Sequence, residues 1–279
     1  MQRLFTRIVF FSLFLLICTS LFNAANFHFQ KSLNERQQLD VELAIIGHSH
    51  ARAAINDTIV SNILNIKTQN YGVGGQGPFW TTQVAEKVIQ KGVRNIIINF
   101  TNNSLTTEWK SFDNLRASRE YYLKGQLSLD DWSYLLGEDL FFALKLFFRG
   151  EFANSNIHGG YKALTDTFKP QTVVGNQINS PTQYRFNVYA LNQLIQKHKD
   201  VNFIFIRIPT HPSAKRNNEE EFQHFMSRLQ KQTNVVTFDF DSALDSDSSF
   251  ADLGHLNHHG AEKFSHLLAS SIFDALKRH

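Results

Sequence analysis

The sequence predicts an α/β fold in which a five-stranded parallel sheet is covered by helices on both faces. Three observations predict it. Five short runs rich in β-branched and aromatic residues recur along the chain, each closed by turn-forming residues. Amphipathic stretches of helical length separate them. Regular alternation of strand and helix requires crossovers, which are right-handed in nearly all known cases. The expected layout is three-layered and flavodoxin-like.

The elements follow in order. Glu42 to Gly47 (ELAIIG) is a buried strand ending at glycine, and Ala51 to Leu64 reads as one helix. Lys67 to Tyr71 is a strand that runs into the glycine-rich turn Gly72-Val73-Gly74-Gly75. Thr81 to Gln90 is a helix closed by Gly92, and Asn95 to Phe100 (NIIINF) a strand. Gln183 to His198 is a helix and Val201 to Ile208 (VNFIFIRI) a strand. Glu219 to Gln232 is a helix with three glutamates in its first turn, where the helix dipole favours anions. Val235 to Phe240 is the last strand. The helix Ala261 to Leu276 follows, with Phe264, Leu268, Ile272 and Ala275 on one face. From about 105 to 180 the rhythm breaks. That stretch is too long for a simple connection and reads as a helical cap inserted over the strand ends.

Composition bounds the function. The net charge of +3 and the absence of a dense Lys/Arg stripe argue against a nucleic-acid partner. Hydrophobic residues make up 42% of the 279, with 26 phenylalanines, enough to bury a sizeable core. The single cysteine, Cys18, lies in the apolar N-terminal run, so residues 41–279 offer no disulfide, thiol nucleophile or cysteine metal site. Arg3 and Arg7 precede the apolar run Ile8 to Phe22. Residues 1–26 are therefore expected to be a membrane anchor or a cleaved signal, and 27–40 a polar tether. Positive-inside logic puts residues 41–279 on the extracytoplasmic face, membrane-anchored, or secreted if the segment is cleaved.

Parallel sheets of this kind carry their sites beyond the carboxyl ends of the strands. The first strand ends in Gly47-His48-Ser49-His50 and the third in Thr101-Asn102-Asn103. Asp252-Leu253-Gly254-His255 follows the last. A serine at a helix start exposes its hydroxyl and needs a base, for which His255 is the candidate. Asp252, three residues earlier, can orient that imidazole. Ser49 N–H, Gly75 N–H and the Asn103 amide could hold an oxyanion, and Asn102 stands beside them as a substitute. The plainer readings are a serine helix cap, turn glycines and a solvated histidine. His48, His50, His258 and His259 add a histidine-rich rim, for which a zinc site is the lesser reading and no metal is expected. Trp80, Trp109 and Trp132 line either a sugar groove or the cap. Arg207, Thr210 and His211 follow the fourth strand.

These blocks resemble the SGNH/GDSL hydrolase superfamily. Ser49 matches its nucleophile, and Gly75 closes the second block, Asn70-x-Gly-x-x-Gly. Asn103 matches the third block, and Asp252-x-x-His255 the fourth. The closing DLGHLNHHGAEKFS looks like members that act outside the bacterial cytoplasm. The resemblance implies an esterase that works through an acyl-Ser49 intermediate, without a cofactor, on an O-acyl ester such as an acylated cell-surface glycan or lipid-linked substrate. The alternative reading is an O-acyltransferase modifying a surface polysaccharide, which could receive its acyl groups from a membrane acyl-donor partner. A non-catalytic glycan-binding module is the third reading. The pattern departs at His48, where many members carry aspartate, and at Thr101-Asn102-Asn103-Ser104, where glycine and aspartate are usual.

Overall fold

Strand β1 (Leu43–Ile46) is wholly buried, as its unbroken apolar sequence requires. It pairs in parallel with β2 (Thr68–Asn70) on one side and β3 (Asn95–Asn99) on the other. Beyond β3 lie β4 (Asn202–Arg207) and β5 (Val235–Asp239), giving the order β2-β1-β3-β4-β5, all parallel. This is the predicted five-stranded sheet. The computed structural model describes residues 40–74, 77–105, 160–165, 168 and 181–277, together with 7, 10–12, 14, 17 and 18.

The chain divides into two compact units, Asp40–Trp109 with Ser155–His279 and Met1–Leu39 with Lys110–Asn154. The sheet belongs to the first. Of the second, only scattered helical residues between 7 and 18 are described. The expected anchor at 1–26, the tether at 27–40 and the cap at about 105–180 therefore fall almost wholly outside the described residues, as do Trp109, Trp132 and the side chain of Trp80. Among the described residues no helix is long and apolar enough to cross a membrane.

Side-chain alternation splits the strands between two cores. On one face, the register aligns Ile45, Ile97, Ile204 and Val236 in a row across four strands. Helices α1 (Ser49–Ala54), α2 (Asp57–Leu64) and α6 (His258–Leu276) cover this face. The α6 stripe Phe264, Leu268, Ile272 and Ala275 is buried to within 3%. The other face lies under α3 (Pro78–Gln90), α4 (Pro181–Lys197) and α5 (Glu219–Leu229). There the Phe100 ring packs on Phe205, Phe222 and Phe225. Each fully buried phenylalanine of this kind contributes roughly 1.5–3 kcal/mol.

The helix predicted over Ala51–Leu64 is two helices. The break falls at Ile55 and Asn56. Asn56 caps α2, its Oδ1 accepting the Thr58 and Ile59 N–H groups, while its own N–H donates to Ser265 Oγ at 2.9 Å. The third helix starts three residues before its expected Thr81, because Pro78 fits the first helical turn. Gly92 adopts φ 96°, the left-handed conformation expected past a helix end.

Candidate active site

With strand order β2-β1-β3-β4, the chain leaves β1 and β3 in opposite directions and opens a crevice beyond their carboxyl ends. Gly47 leads the chain into it. A Cβ there would stand 2.8 Å from Asn99 Cβ, so only glycine lets β1 and β3 close up at this level. His48 then caps α1, its Nδ1 accepting the His50 N–H at 3.4 Å, and Ser49 occupies the first helical position.

His255 arrives from the far end of the sequence on a tightly held loop. Phe250 and Leu256 bridge across it, Ala251 N–H donates to His255 O at 2.9 Å, and His211 N–H donates to Leu253 O at 3.0 Å. Asn257 fastens the exit by capping α6 and donating to Ser248 O at 2.8 Å. Gly260 is obligatory there, since a Cβ would fall 2.0 Å from Ser249 O.

The outcome is a hydrogen-bonded line of three side chains. Ser49 Oγ lies 2.9 Å from His255 Nε2. His255 Nδ1 lies 3.0 Å from both Asp252 carboxylate oxygens. With Nδ1–H donating to the carboxylate, Nε2 is left as acceptor for the serine hydroxyl. Asp252 Oδ1 also accepts the backbone N–H groups of Gly254 at 2.7 Å and His255 at 2.9 Å. Burial alone would raise the Asp252 carboxyl. The bonds from His255 and from the two N–H groups outweigh it and hold the carboxyl below its usual value.

His48 and His50 pack edge-to-face beside this line. Their ring centroids are 4.6 Å apart, and His50 meets His255 edge-on at 4.9 Å and 88°. Burial first, then the neighbouring His255, lowers His48 from 6.5 to about 4; burial and both neighbouring imidazoles lower His50 well below 6.5. Both are neutral at pH 7. Because His48 Nδ1 accepts, its Nε2 carries the proton and donates to Thr101 Oγ1 at 3.3 Å. The buried Asn99 Oδ1 has no partner, while its Nδ2 faces the same Nε2 at 3.3 Å. Turning that amide over would give the oxygen a donor.

The remaining candidates are placed differently. Asn103 lies at the end of β3 in the 3-10 turn Asn102–Leu105, half-buried. Asn102, the substitute considered for it, commits its amide to Glu219 Oε2 at 2.7 Å. Glu219 is in turn gripped by both terminal nitrogens of Arg207, at 2.8 and 2.9 Å. Arg207 is 3% exposed, with Asp239 and Asp241 also beside it and Phe222 under its guanidinium. It therefore belongs to a buried ion-pair network. Thr210 bonds Asp241 at 2.6 Å, and the His211 ring bonds Asp247 at 2.8 Å. His258 and His259 open α6 with their rings 3.8 Å apart. Gly75 falls outside the described residues. Among the described residues no set of three His, Cys, Asp or Glu side chains is arranged to hold a metal ion.

The sequence assigns no role to two residues beside the crevice: Asn70 enters only as the start of the second block, and Arg52 is passed over. Asn70 is fully buried and ties α1 to the second turn. Its Nδ2 donates to Ala51 O and Ile55 O at 2.9 and 2.8 Å, and its Oδ1 accepts Gly72 N–H at 2.7 Å. A polar residue at the strand end, just before the glycine-rich turn, was the available signal. Arg52, one helical turn after Ser49, was legible from the spacing alone.

A family model matches residues 173–277, less than half of the chain. No curated protein matches the sequence. Among solved structures, a protein described as G-D-S-L-family lipolytic from Desulfitobacterium hafniense aligns at 10% identity, covering 82% of this chain and 97% of that one, with TM-score 0.45. An acetyl xylan esterase from Butyrivibrio proteoclasticus aligns at 13% identity over 84% of this chain and 64% of that one, with TM-score 0.40. A carbohydrate esterase family 2 enzyme from Corynascus thermopiles gives 10% identity, 84% and 66% coverage, and TM-score 0.43. The chain is thus similar over most of its length to lipolytic proteins and carbohydrate esterases, at scores too low to carry an argument about chemistry, which rests on the geometry of Ser49, His255 and Asp252.

Proposed function

We propose that this chain is a serine esterase of the SGNH/GDSL type, acting through an acyl-Ser49 intermediate. The observation that carries the reading is the 2.9 Å approach of Ser49 Oγ to His255 Nε2, with Asp252 behind the ring.

His255 Nε2 takes the Ser49 proton as Oγ attacks the ester carbonyl carbon. The tetrahedral intermediate places negative charge on the former carbonyl oxygen. Ser49 N–H, at the start of α1, is one donor for it, and Gly75 N–H and the Asn103 amide are the proposed others. The carbon–oxygen bond to the alcohol then breaks, and His255 returns its proton to the leaving oxygen. Water, deprotonated by the same imidazole, attacks the acyl-Ser49 carbonyl and releases the acid and free serine. Asp252 remains a carboxylate throughout and stabilises the imidazolium.

The proposed substrate is an O-acyl ester on a cell-surface glycan or lipid-linked molecule, met outside the membrane to which residues 1–26 would attach the enzyme. A fluorophosphonate probe tests the mechanism. It should label wild type at the peptide containing Ser49, leave Ser49→Ala unlabelled, and react far more slowly with His255→Ala. Hydrolysis should fall by about 10⁴-fold or more in either variant. Equal labelling of wild type and Ser49→Ala would leave the binding-module reading in its place. Acetyl transfer to an added oligosaccharide in excess of acetate release would assign the transferase reaction instead.

A further inference from the structure

The cation nearest the nucleophile in sequence is Arg52. It sits three residues after Ser49 on α1, which makes the two side chains neighbours on the helix surface. The turn leading to Gly75 lies directly against it. Val73 N–H donates to Gly47 O at 3.0 Å, pinning this turn beside the entry to Ser49. A Cβ on Gly72 would stand 2.6 Å from Arg52 N, and a Cβ on Gly74 would stand 3.9 Å from Arg52 Nη1. The guanidinium therefore reaches back along the second turn, at the edge of the crevice that holds Ser49. The other end of the residue is fixed as well, because Arg52 O accepts the Lys162 N–H at 2.9 Å.

Unlike Arg94, Arg207 and Arg216, Arg52 has no carboxylate partner among the described residues. Arg94 pairs with Asp200, Arg207 with three carboxylates, and Arg216 with Asp241. Half-buried Arg52 makes no ion pair or side-chain hydrogen bond among the described residues. The acidic group of the crevice, Asp252, is already engaged by His255 and two backbone N–H groups. The imidazoles of His48 and His50 are neutral and supply no competing positive charge.

We infer that Arg52 is a specificity-determining residue that selects esters carrying a carboxylate near the scissile bond. A guanidinium presents a planar fork of N–H donors that matches a carboxylate. One such group balances one negative charge, which fits a carboxylate rather than a phosphate dianion. The inference rests on Ser49 being the nucleophile.

The test compares two acetate esters of the same phenol skeleton, 4-acetoxybenzoate and its methyl ester, the first anionic and the second neutral. The measured quantity is the ratio of their kcat/KM values. In Arg52→Gln this ratio should fall by about fivefold from wild type, chiefly through KM for the anionic ester. Arg52→Lys should keep part of the preference and Arg52→Glu should lower it further. Raising the salt concentration should shrink the wild-type ratio and leave that of Arg52→Gln nearly constant. A ratio equal in wild type and Arg52→Gln, with both enzymes hydrolysing the neutral ester, would overturn the role of Arg52 alone. Hydrolysis of both esters at the same rate by wild type and Ser49→Ala would overturn the nucleophile and this inference with it.

Discussion

Asp252 combines two functions that substitution can separate. Its carboxylate orients the His255 ring, and the same Oδ1 closes the turn by accepting the Gly254 and His255 N–H groups. Asparagine keeps an oxygen for the turn but presents an amide N–H to the ring, which favours the wrong tautomer and leaves Nε2 protonated against Ser49. Asp252→Asn should therefore lower kcat by about 10³–10⁴-fold with little loss of stability. Asp252→Ala should lose both functions, with about 1 kcal/mol of stability lost for the partly buried backbone donors left unpaired. Steady-state kinetics and denaturant unfolding of the two variants check the separation. Equal destabilisation by both would show that the turn depends on the negative charge rather than on the acceptor.

At the level of elements, the position of Ser49 depends on a junction between α1 and the turn after β2. Asn70 makes three buried hydrogen bonds there, and Gly72 allows the turn to approach Arg52 N closely. Asn70→Ala should cost about 3 kcal/mol or more in chemical denaturation, since two carbonyls and one N–H lose their partner. Unfolding at the wild-type denaturant midpoint would show that water replaces the side chain. The strands were legible because parallel strands buried on both faces read as apolar runs, and the observed ends of β1, β3, β4 and β5 lie within a residue or two of those runs. The break between α1 and α2 was not legible. Asn56 draws its meaning from Ser265, which is 209 residues away and brought near by α6. In the crevice, Ser49 could be singled out because it follows a strand and opens a helix, and Asp252 and His255 because they share a three-residue spacing. Asn102 could not be separated from Asn103, because its partner Glu219 is 117 residues distant, at the start of α5, with Arg207 holding the same carboxylate.

For the sheet-bearing unit as a whole, acidification acts on the fold in two stages. His48 titrates at about 4 and His50 well below 6.5 in the folded chain, whereas in an unfolded chain each takes a proton near 6.5. The unfolded state therefore binds more protons as pH falls from about 6.5 towards 4. Stability present above 6.5 is lost through that window, at up to about 1.4 kcal/mol per pH unit for each imidazole. Glu219 follows. Burial would raise it, but the bonds from Arg207, Gln223 and Asn102 and the Arg207 charge lower it from 4.5 to about 2. Its contribution is present above 4.5 and is lost between 4.5 and 2. Its 39% exposed side chain keeps that contribution small. His50→Phe removes an imidazole whose buried Nδ1 has no hydrogen-bond partner, so it should unfold near the wild-type midpoint at pH 7.5. It should also show a clearly shallower loss of stability between pH 6.5 and 4.5. Glu219→Gln should leave that upper window unchanged and flatten the decline below 4.5. Denaturant midpoints at half-unit pH intervals decide the matter: a wild-type curve that is level from 7 to 5, or a His50→Phe curve parallel to it, would mean that these imidazoles accept protons within the folded protein.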